Sequence, residues 1–319
     1  MAAHCEWKLS DNVSWWFVAV QQTIDAGASA EGYRVTAIIP VYNGMNMIRR
    51  AIDSILAQTH IVEEVLVVDD GSTDSTRDVV KSYGDRVQYI YQPNGGVSAA
   101  RNTGVRTATS EWVGFLDHDD EWLPHKIERQ LKLLKANPSA SLCYTAHWFH
   151  ALDGTIQFIY VPKEKLWPAI RLCNPFPPSV ALVRKKDVLS LGGFDEQLTG
   201  ASCEDWDFFA RFLAAYRGID SPEPLVNYHE LRTSHSRNYR TMLPNTLSIV
   251  DKSLLSGLSG MSKALWRRRI KSMLYYRAAI SARELGDPAG TFLLASLVQW
   301  PFPDLAPQRF KTVLAHLRE

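Results

Sequence analysis

Three aspartates, Asp117, Asp119 and Asp120, stand within four positions directly after an apolar run, residues 112–116, that has the character of a buried strand. Carboxylates this close repel one another, and they remain charged only where a cation or hydrogen-bond donors compensate them. Mg²⁺ and Mn²⁺ prefer oxygen ligands, and they commonly bind through one or two carboxylates plus the phosphates of a substrate. The Asp-X-Asp spacing therefore suits a metal-bound nucleotide diphosphate. The structural alternative is an acidic turn that caps the next helix.

Buried strands alternate with amphipathic helices in the first half of the chain, which predicts a parallel sheet. The predicted strands are 35–41, 64–68, 87–91 and 112–116, and the predicted helices are 46–58, 97–106 and 124–137. A hairpin is predicted next, with strands 142–148 and 155–161. In such sheets ligands bind beyond the carboxyl ends of the strands.

Polar residues follow three of these strands at the edge where ligands bind. Tyr42 and Asn43 follow the first strand, Asp69 and Asp70 end the second, and the three aspartates follow the fourth. The turn Gly95-Gly96 then opens a helix with Arg101 in its second turn, and a helix N-terminus beside a guanidinium suits a pyrophosphate. Neither a G-x-G-x-x-G fingerprint nor a P-loop occurs, which argues against dinucleotide oxidoreductases and P-loop enzymes.

The composition is that of an ordinary globular protein. The 319 residues are 46% hydrophobic and 22% charged, with a net charge of +1. The four cysteines form no C-x-x-C pair, so neither a zinc cluster nor a disulfide framework is indicated, and a reducing, cytoplasmic location is expected. The apolar run of residues 15–20 is far shorter than a membrane-spanning helix, so we expect neither a membrane span nor secretion.

Charge is distributed unevenly along the chain. Residues 237–319 contain 13 Lys and Arg against 5 Asp and Glu, whereas the rest contains 22 against 29. We divide the chain into an N-terminal extension (1–32), an α/β domain that carries the candidate site (33–236) and a basic helical C-terminal region (237–319). The predicted C-terminal helices are 243–255, 262–285, 288–299 and 307–317.

Two interpretations of the C-terminal region are open. Basic residues beside tryptophan and tyrosine suit peripheral contact with an anionic membrane on its inner face, and they equally suit a helical bundle packed on the α/β domain. Nucleic acid is not an expected partner, because the positive charge belongs to one helix of an otherwise acidic molecule. Between the hairpin and this region, the prolines Pro168, Pro175, Pro177 and Pro178 predict an irregular loop over a site.

Six segments occur in a fixed order: VTAIIPVYN, VLVVDDGSTD, GGVSAARNTG, FLDHDDEW, GGFDE and CEDWDFFARF. As a set they resemble family 2 glycosyltransferases of the GT-A type, and the resemblance covers roughly residues 35–228. It implies an α/β fold with a mostly parallel central sheet. It also implies an inverting transferase that uses Mn²⁺ or Mg²⁺ and a nucleotide-diphosphate sugar, with a UDP-sugar favoured. The acceptor would be a glycan or glycolipid in the assembly of a bacterial surface polysaccharide or glycolipid.

The resemblance also implies roles for single residues. The donor nucleotide would be bound by Pro40, Tyr42, Asn43, Asp70, Arg101 and Asp117, and the metal by Asp119 and Asp117. The first three of these residues would line the nucleobase pocket. Asp70 would accept a hydrogen bond from the base, and Arg101 would lie near the phosphates.

The second carboxylate cluster, Glu204-Asp205, starts a predicted helix. Inversion at an anomeric carbon needs a general base behind the acceptor hydroxyl, separate from the metal on the other face. By resemblance Asp205 is this base, and Glu204 orients the acceptor or supports the base. The alternative is that both merely favour a helix N-terminus through its dipole.

Many relatives carry a Tyr-Arg-x-His stretch after the last core strand, and this chain departs from that pattern. Either His229 or His235 would approach the metal or the diphosphate, or both belong to a solvated loop. Two other functions remain open: a nucleotide-sugar-binding scaffold without turnover, and a nucleotidyltransferase with the same sheet. The latter would not need Glu204 and Asp205.

Overall fold

The structure is a computed structural model that describes residues 33–175, 177–198, 203–231 and 238–302. Three predictions concern residues outside these ranges: the N-terminal extension, His235 and the last helix, 307–317. Everything that follows refers to the described residues.

Nine strands form one sheet in the order β3-β2-β1-β4-β8-β6-β9-β5, with β7 paired to β6. The strands are β1 (Val35–Val41), β2 (Glu64–Asp69), β3 (Gln88–Tyr91), β4 (Trp112–Phe115), β5 (Glu121–Trp122), β6 (Leu142–His150), β7 (Ile156–Ile159), β8 (Ala181–Arg184) and β9 (Gly218–His229). Strands β1 to β4 pair in parallel, as predicted, so their carboxyl ends share one edge.

The second half of the sheet is mixed. Strand β8 runs antiparallel to both β4 and β6, whereas β9 runs parallel to β6 and carries the short strand β5 on its other side. The predicted hairpin is present as β6 and β7, and Gly154 has the positive φ of 84° that its turn requires. The predicted α/β architecture, a central sheet whose strands alternate with helices, is confirmed.

Ten α-helices lie in the described part of the chain. They are α1 (Ile48–Leu56), α2 (Thr76–Lys81), α3 (Val97–Thr107), α4 (Lys126–Ala136), α5 (Lys163–Leu172), α6 (Lys185–Ser190), α7 (Glu204–Ala215), α8 (Tyr239–Ile249), α9 (Gly260–Glu284) and α10 (Gly290–Gln299). Helix α1 shows why the apolar spacing predicted them, because Ile48, Ala51, Ile52 and Ile55 all face the core and are buried.

The prediction of an irregular segment was wrong at Pro168, which lies inside helix α5. A proline there removes one backbone hydrogen bond, but the helix buries Leu166, Ala169 and Ile170, and this burial offsets the loss. The remaining three prolines precede or begin a short 3₁₀ turn, Pro178–Val180, which leads into β8.

The C-terminal helices pack against one another and against the catalytic part. Ser272 of α9 and Ser296 of α10 are fully buried, and each hydroxyl donates to the other residue's carbonyl at 2.8 Å. Arg171 of α5 lies between the rings of Trp167 and Trp266, with its guanidinium carbon 4.8 and 5.4 Å from their centroids. This arrangement matches the helical-bundle interpretation, and membrane contact stays a prediction. In the described ranges, no helix combines the length and apolar character needed to cross a bilayer.

Lys126 is an unusual member of the core, because its side chain is fully buried. Its Nζ donates to Gln130 Oε1 at 2.8 Å and lies 4.1 Å from the centre of the Trp122 ring. Burial lowers the pKa of this amine to about 7, because a charged ammonium there has lost its hydration. Above pH 7, Lys126 is therefore increasingly an uncharged hydrogen-bond donor.

This pKa predicts a pH-dependent effect of the Lys126→Met substitution. Below pH 7 the native protein bears the full cost of a buried charge, and that cost falls as pH rises from 7 towards 10. The stability of the variant relative to the native chain should therefore drop by about 3 kcal/mol between pH 6 and pH 9. Urea denaturation at both pH values measures this, with the exposed Lys81→Met as control. A difference that does not change with pH would contradict it.

Candidate active site

The two carboxylate clusters meet at one guanidinium. Arg101 lies in the second turn of α3, is 3% exposed, and donates from Nη2 to Asp117 Oδ1 at 2.8 Å and from Nη1 to Glu204 Oε1 at 3.0 Å. These ion pairs hold the pKa of Arg101 above its usual value despite burial, which opposes the charge. Residues 101 and 204 are far apart in the sequence, and this contact brings the two predicted clusters into one site.

Asp120 holds the Asp-X-Asp loop in place. Its side chain is fully buried, and its carboxylate accepts from the Ser179 hydroxyl at 2.5 Å and from the backbone N–H of His229 at 3.1 Å. Ser179 Oγ also accepts from the backbone N–H of Asp117 at 3.2 Å. Burial, followed by the charges of Asp119 and Asp117, raises the pKa of Asp120 well above its usual value. The third aspartate is thus internal, and the other two remain for a ligand.

Asp119 is the carboxylate that fits a metal best. It is half-buried, and its pKa is raised by burial and by Asp117, against the opposing charges of His118 and Arg50. No other described side chain donates a hydrogen bond to its carboxylate. Mg²⁺ and Mn²⁺ bind hard oxygen ligands such as a carboxylate. The described residues contain no cluster of three or more His, Cys, Asp and Glu side chains that could hold a metal.

Asp205 lies in the first turn of α7, next to Glu204. Its Oδ2 accepts from Asn174 Nδ2 at 2.7 Å, and its Oδ1 accepts from the backbone N–H of Trp206 at 2.7 Å. Burial and the neighbouring charge of Glu204 raise the pKa of Asp205 to about 8, although Arg101 opposes the shift. A half-buried carboxyl with this pKa can take up a proton near neutral pH.

Tyr228 of β9 is a side chain whose pKa responds to both carboxylate clusters. Its pKa is raised well above 10 by burial and then by the charges of four residues, Asp120, Asp119, Asp117 and Asp205. The charges of the metal candidate, Asp119, and of the base candidate, Asp205, therefore both raise the pKa of this half-buried phenol.

His229, the next residue, stacks on His150 with ring centroids 4.6 Å apart. Its Nε2 is buried and has no hydrogen-bond partner in the described structure. Burial, helped by Arg50, lowers the pKa of His229 to about 4, so the ring is neutral at physiological pH. An unprotonated imidazole beside the Asp-X-Asp loop can serve as a ligand or a hydrogen-bond partner. His235, the other candidate, lies outside the described residues.

The predicted nucleobase residues lie at the carboxyl edge of the sheet. Pro40 is buried within β1, whereas Tyr42 is 49% exposed just beyond it. Asn43 adopts a left-handed conformation with φ of 52°, and its side-chain oxygen accepts from the backbone N–H of Thr73 at 2.8 Å. This contact ties the turn after β1 to the turn after β2.

Asp70 has a structural task in this conformation. Its carboxylate accepts from Gln92 Nε2 at 2.7 Å and from the backbone N–H groups of Gly95 and Gly96 at 2.9 and 2.8 Å. Gly96, with φ of 87°, is the residue before α3, so Asp70 fixes the start of the helix that carries Arg101. Acceptance from a nucleobase stays a prediction for Asp70, whose carboxylate can accept about four hydrogen bonds and receives three from these donors.

Three residues that the motifs did not single out support the site. Asn174 and Ser179 hold Asp205 and Asp120, and Asn102 holds the Gly-Gly-Phe-Asp-Glu loop by donating to the Phe194 carbonyl at 2.9 Å. A Cβ on Gly193 would lie 2.4 Å from Asn102 Oδ1, which explains the second glycine of that loop. For Asn174 and Ser179, the one signal in the sequence is their place in the proline-rich segment before β8.

Comparison with protein families gives a match to Glycosyl transferase family 2 over residues 36–163. The uncharacterised glycosyltransferase RT0329 of Rickettsia typhi is 34% identical over 220 residues, which are 63% of this chain and 66% of that protein. The teichuronic acid biosynthesis glycosyltransferase TuaG of Bacillus subtilis, itself assigned putatively, is 36% identical over 136 residues, 41% of this chain and 54% of TuaG. The chain thus matches at most about two thirds of the length of these two relatives.

Two solved structures share the fold. Staphylococcus aureus TarS 1–349, in complex with UDP-GlcNAc, aligns with a TM-score of 0.59 at 17% identity over 82% of this chain and 81% of TarS. The mannosyltransferase PcManGT of Pyrobaculum calidifontis, in complex with GDP-Man and Mn²⁺, aligns with a TM-score of 0.57 at 19% identity, over 95% of this chain and 91% of PcManGT. Both likenesses are of fold.

The Arg101 contacts predict that Arg101→Met destabilises the protein strongly. Removal of the guanidinium leaves Asp117 and Glu204 partly buried without their partner, and such losses cost about 3–5 kcal/mol. The matched control is Arg106→Met on the same helix, whose ion pair with Glu196 at 3.7 Å is exposed. That substitution should cost less than about 1 kcal/mol. Chemical denaturation at pH 7 compares the two, and equal losses would contradict a special role for Arg101.

Proposed function

Because this chain belongs to glycosyltransferase family 2 and has the GT-A fold, we propose that it is an inverting, metal-dependent glycosyltransferase. It moves a sugar from a nucleotide-diphosphate donor to an acceptor hydroxyl. The observation that carries the proposal is the double ion pair of Arg101, because it places the Asp-X-Asp loop and the Glu204-Asp205 pair on either side of one guanidinium.

The separation of the two clusters suits a single displacement. Asp205 takes the proton from the acceptor hydroxyl as its oxygen bonds to the anomeric carbon, while the bond from that carbon to the diphosphate breaks on the opposite face. Asn174 and Arg101 both favour the ionised form of Asp205 and so prepare it to accept the proton. Glu204 is held by Arg101 beside the base and orients the acceptor.

On the donor side, Asp119 and Asp117 would hold Mn²⁺ or Mg²⁺, which when bound neutralises the departing diphosphate. Asp120 keeps this loop rigid through Ser179. His229 donates its backbone N–H to Asp120 of this loop, and its neutral ring has an unpartnered Nε2. We assign this ring as a partner for the diphosphate or the metal.

The substrates follow from the relatives as proposals. TarS binds UDP-GlcNAc and PcManGT binds GDP-Man, so a nucleotide-diphosphate sugar is the donor class, with a UDP-sugar favoured. TuaG is assigned to teichuronic acid biosynthesis, which supports a glycan or glycolipid acceptor in polysaccharide assembly. A cytoplasmic enzyme acting on an acceptor at the inner face of a membrane accords with the cysteine content and the basic C-terminal helices.

The division of tasks predicts opposite effects for two substitutions. Asp119→Ala should abolish Mn²⁺-dependent binding of UDP, because it removes the principal metal ligand. Asp205→Asn should leave that binding within a few-fold and remove transfer, because the base is lost while the donor site is intact. Calorimetric titration of UDP with and without Mn²⁺ measures binding, and UDP release from a panel of nucleotide sugars measures turnover. Metal-dependent binding by Asp119→Ala would disprove the assignment, and turnover unchanged by Asp205→Asn would favour a binding scaffold.

The raised pKa of Asp205 predicts the pH dependence of the reaction. A general base must be ionised, so kcat/KM should rise with pH, reach half its maximum near pH 8 and level off at higher pH. Asn174→Ala removes a donor that favours the carboxylate, so the rise should move to higher pH by about one unit. Activity at pH 7 then falls several-fold, whereas activity above pH 9 is largely kept. Asn137→Ala, whose amide donates to the Leu133 carbonyl on the surface of α4, is the control. A profile that does not move would contradict the role of Asn174.

A further inference from the structure

A short turn after α8 contacts the helix that carries the proposed base, α7, and the helix that ends two residues before the base's hydrogen-bond partner, α5. It begins as a π-helical turn, Val250–Leu254, and continues to Ser256; we call residues 250–256 the C-terminal turn. Within it, Ser253 and Leu254 are fully buried. Single π-helical turns interrupt regular helices at some cost and are often found at functional sites.

On one side the C-terminal turn holds α7 through Asp207. This residue lies two positions after Asp205 and is fully buried. Its Oδ1 accepts from the Ser253 hydroxyl, and its Oδ2 accepts from Arg211 Nε at 2.7 Å. Lys252 Nζ lies 3.6 Å from Oδ1. A buried carboxylate is tolerated only where such donors meet it, so these contacts fix how the first turns of α7 sit.

On the other side the C-terminal turn holds the end of α5 through Arg171. The guanidinium donates from Nε to the Leu254 carbonyl at 3.3 Å and from Nη2 to the Ser256 carbonyl at 3.2 Å. Helix α5 ends at Leu172, two residues before Asn174. The indole N–H of Trp206 donates to the Ile170 carbonyl and joins the two helices directly.

A third contact reaches the Gly-Gly-Phe-Asp-Glu loop. Lys252 forms an ion pair with Asp195, and Arg211 Nη2 donates to the Gly193 carbonyl at 2.9 Å. The C-terminal turn therefore contacts three segments: α5, α7 and this loop.

From these contacts we infer that Ser253, supported by Lys252, is a positioning residue for catalysis. Its hydrogen bond to Asp207 keeps the first turn of α7 at the depth where Asp205 meets Asn174. The effect of Ser253 on catalysis rests on the proposed function. Its effect on the placement of α7 is independent of that function. Small displacements of a reacting group lower rates far more than they lower affinity, so the effect belongs in kcat.

The experiment compares Ser253→Ala with Ser272→Ala. Both remove a fully buried serine hydroxyl from the C-terminal part of the chain, but Ser272 bonds to Ser296 of α10 whereas Ser253 bonds to Asp207 of α7. Turnover is followed as UDP or GDP release from UDP-GlcNAc and GDP-mannose with Mn²⁺. Ser253→Ala should lower kcat on the order of tenfold with the donor KM within about twofold. Ser272→Ala should leave both constants within about twofold, and Ser253→Thr, which keeps a hydroxyl, should recover most of the rate.

A second readout does not depend on activity. Hydrogen exchange of the α7 amides, measured by mass spectrometry, should be faster in Ser253→Ala than in the native chain and unchanged in Ser272→Ala. In addition, Ser253→Ala should lower kcat less than about twofold when Asn174→Ala is already present, because both act on the same carboxylate.

Each outcome decides the inference. Unchanged α7 exchange in Ser253→Ala overturns it, as does an equal loss of kcat in Ser272→Ala or full additivity with Asn174→Ala. If the native chain turns over neither donor, the proposed function is in question, while faster exchange in Ser253→Ala alone still supports the positioning of α7.

Discussion

The site depends on one buried guanidinium. Arg101 is removed from water on a helix that points at the sheet edge, and two carboxylates from distant parts of the chain compensate its charge. Burial makes such an arrangement costly unless all three groups are present and well oriented. The positions of β4 and α7 relative to α3 are therefore set by electrostatics as well as by apolar packing.

Three further carboxylates hold the segments around Arg101 in place. Asp70 fixes the start of α3, Asp120 fixes the metal loop, and Asp207 fixes α7. Each is a carboxylate that is at most 4% exposed and that accepts hydrogen bonds from donors packed around it. For Asp120 and Asp207, it is a neighbouring acidic residue, Asp119 or Asp205, that is proposed to act on the substrates. The doubled acidic motifs thus divide the work between holding the backbone and binding.

The sequence predicted the parts of this arrangement that are local. Apolar periodicity located β1, β2, β4, α1 and α4, because burial of one face imposes that spacing. Type and spacing indicated Asp117 and Asp119, whereas Glu204 and Asp205 were assigned through the family resemblance, and Arg101 brings Asp117 and Glu204 together. Strand β8 and the helical state of Pro168 were not found, because both are decided by tertiary packing that overrides local preference. Nor did any pattern indicate Asn174, whose partner is 31 residues away.

The burial of Asp207 also bears on how this protein can be recombined with others. Two of the residues that compensate its charge, Ser253 and Lys252, come after the last strand of the sheet. The group of residues that makes this buried charge tolerable therefore extends beyond the sheet. A chimaera that joins this sheet to a foreign C-terminal region upstream of residue 250 would keep the charge and lose those donors. Junctions placed after Ser256 preserve this group of residues, so the natural border for grafting lies some distance past the end of β9.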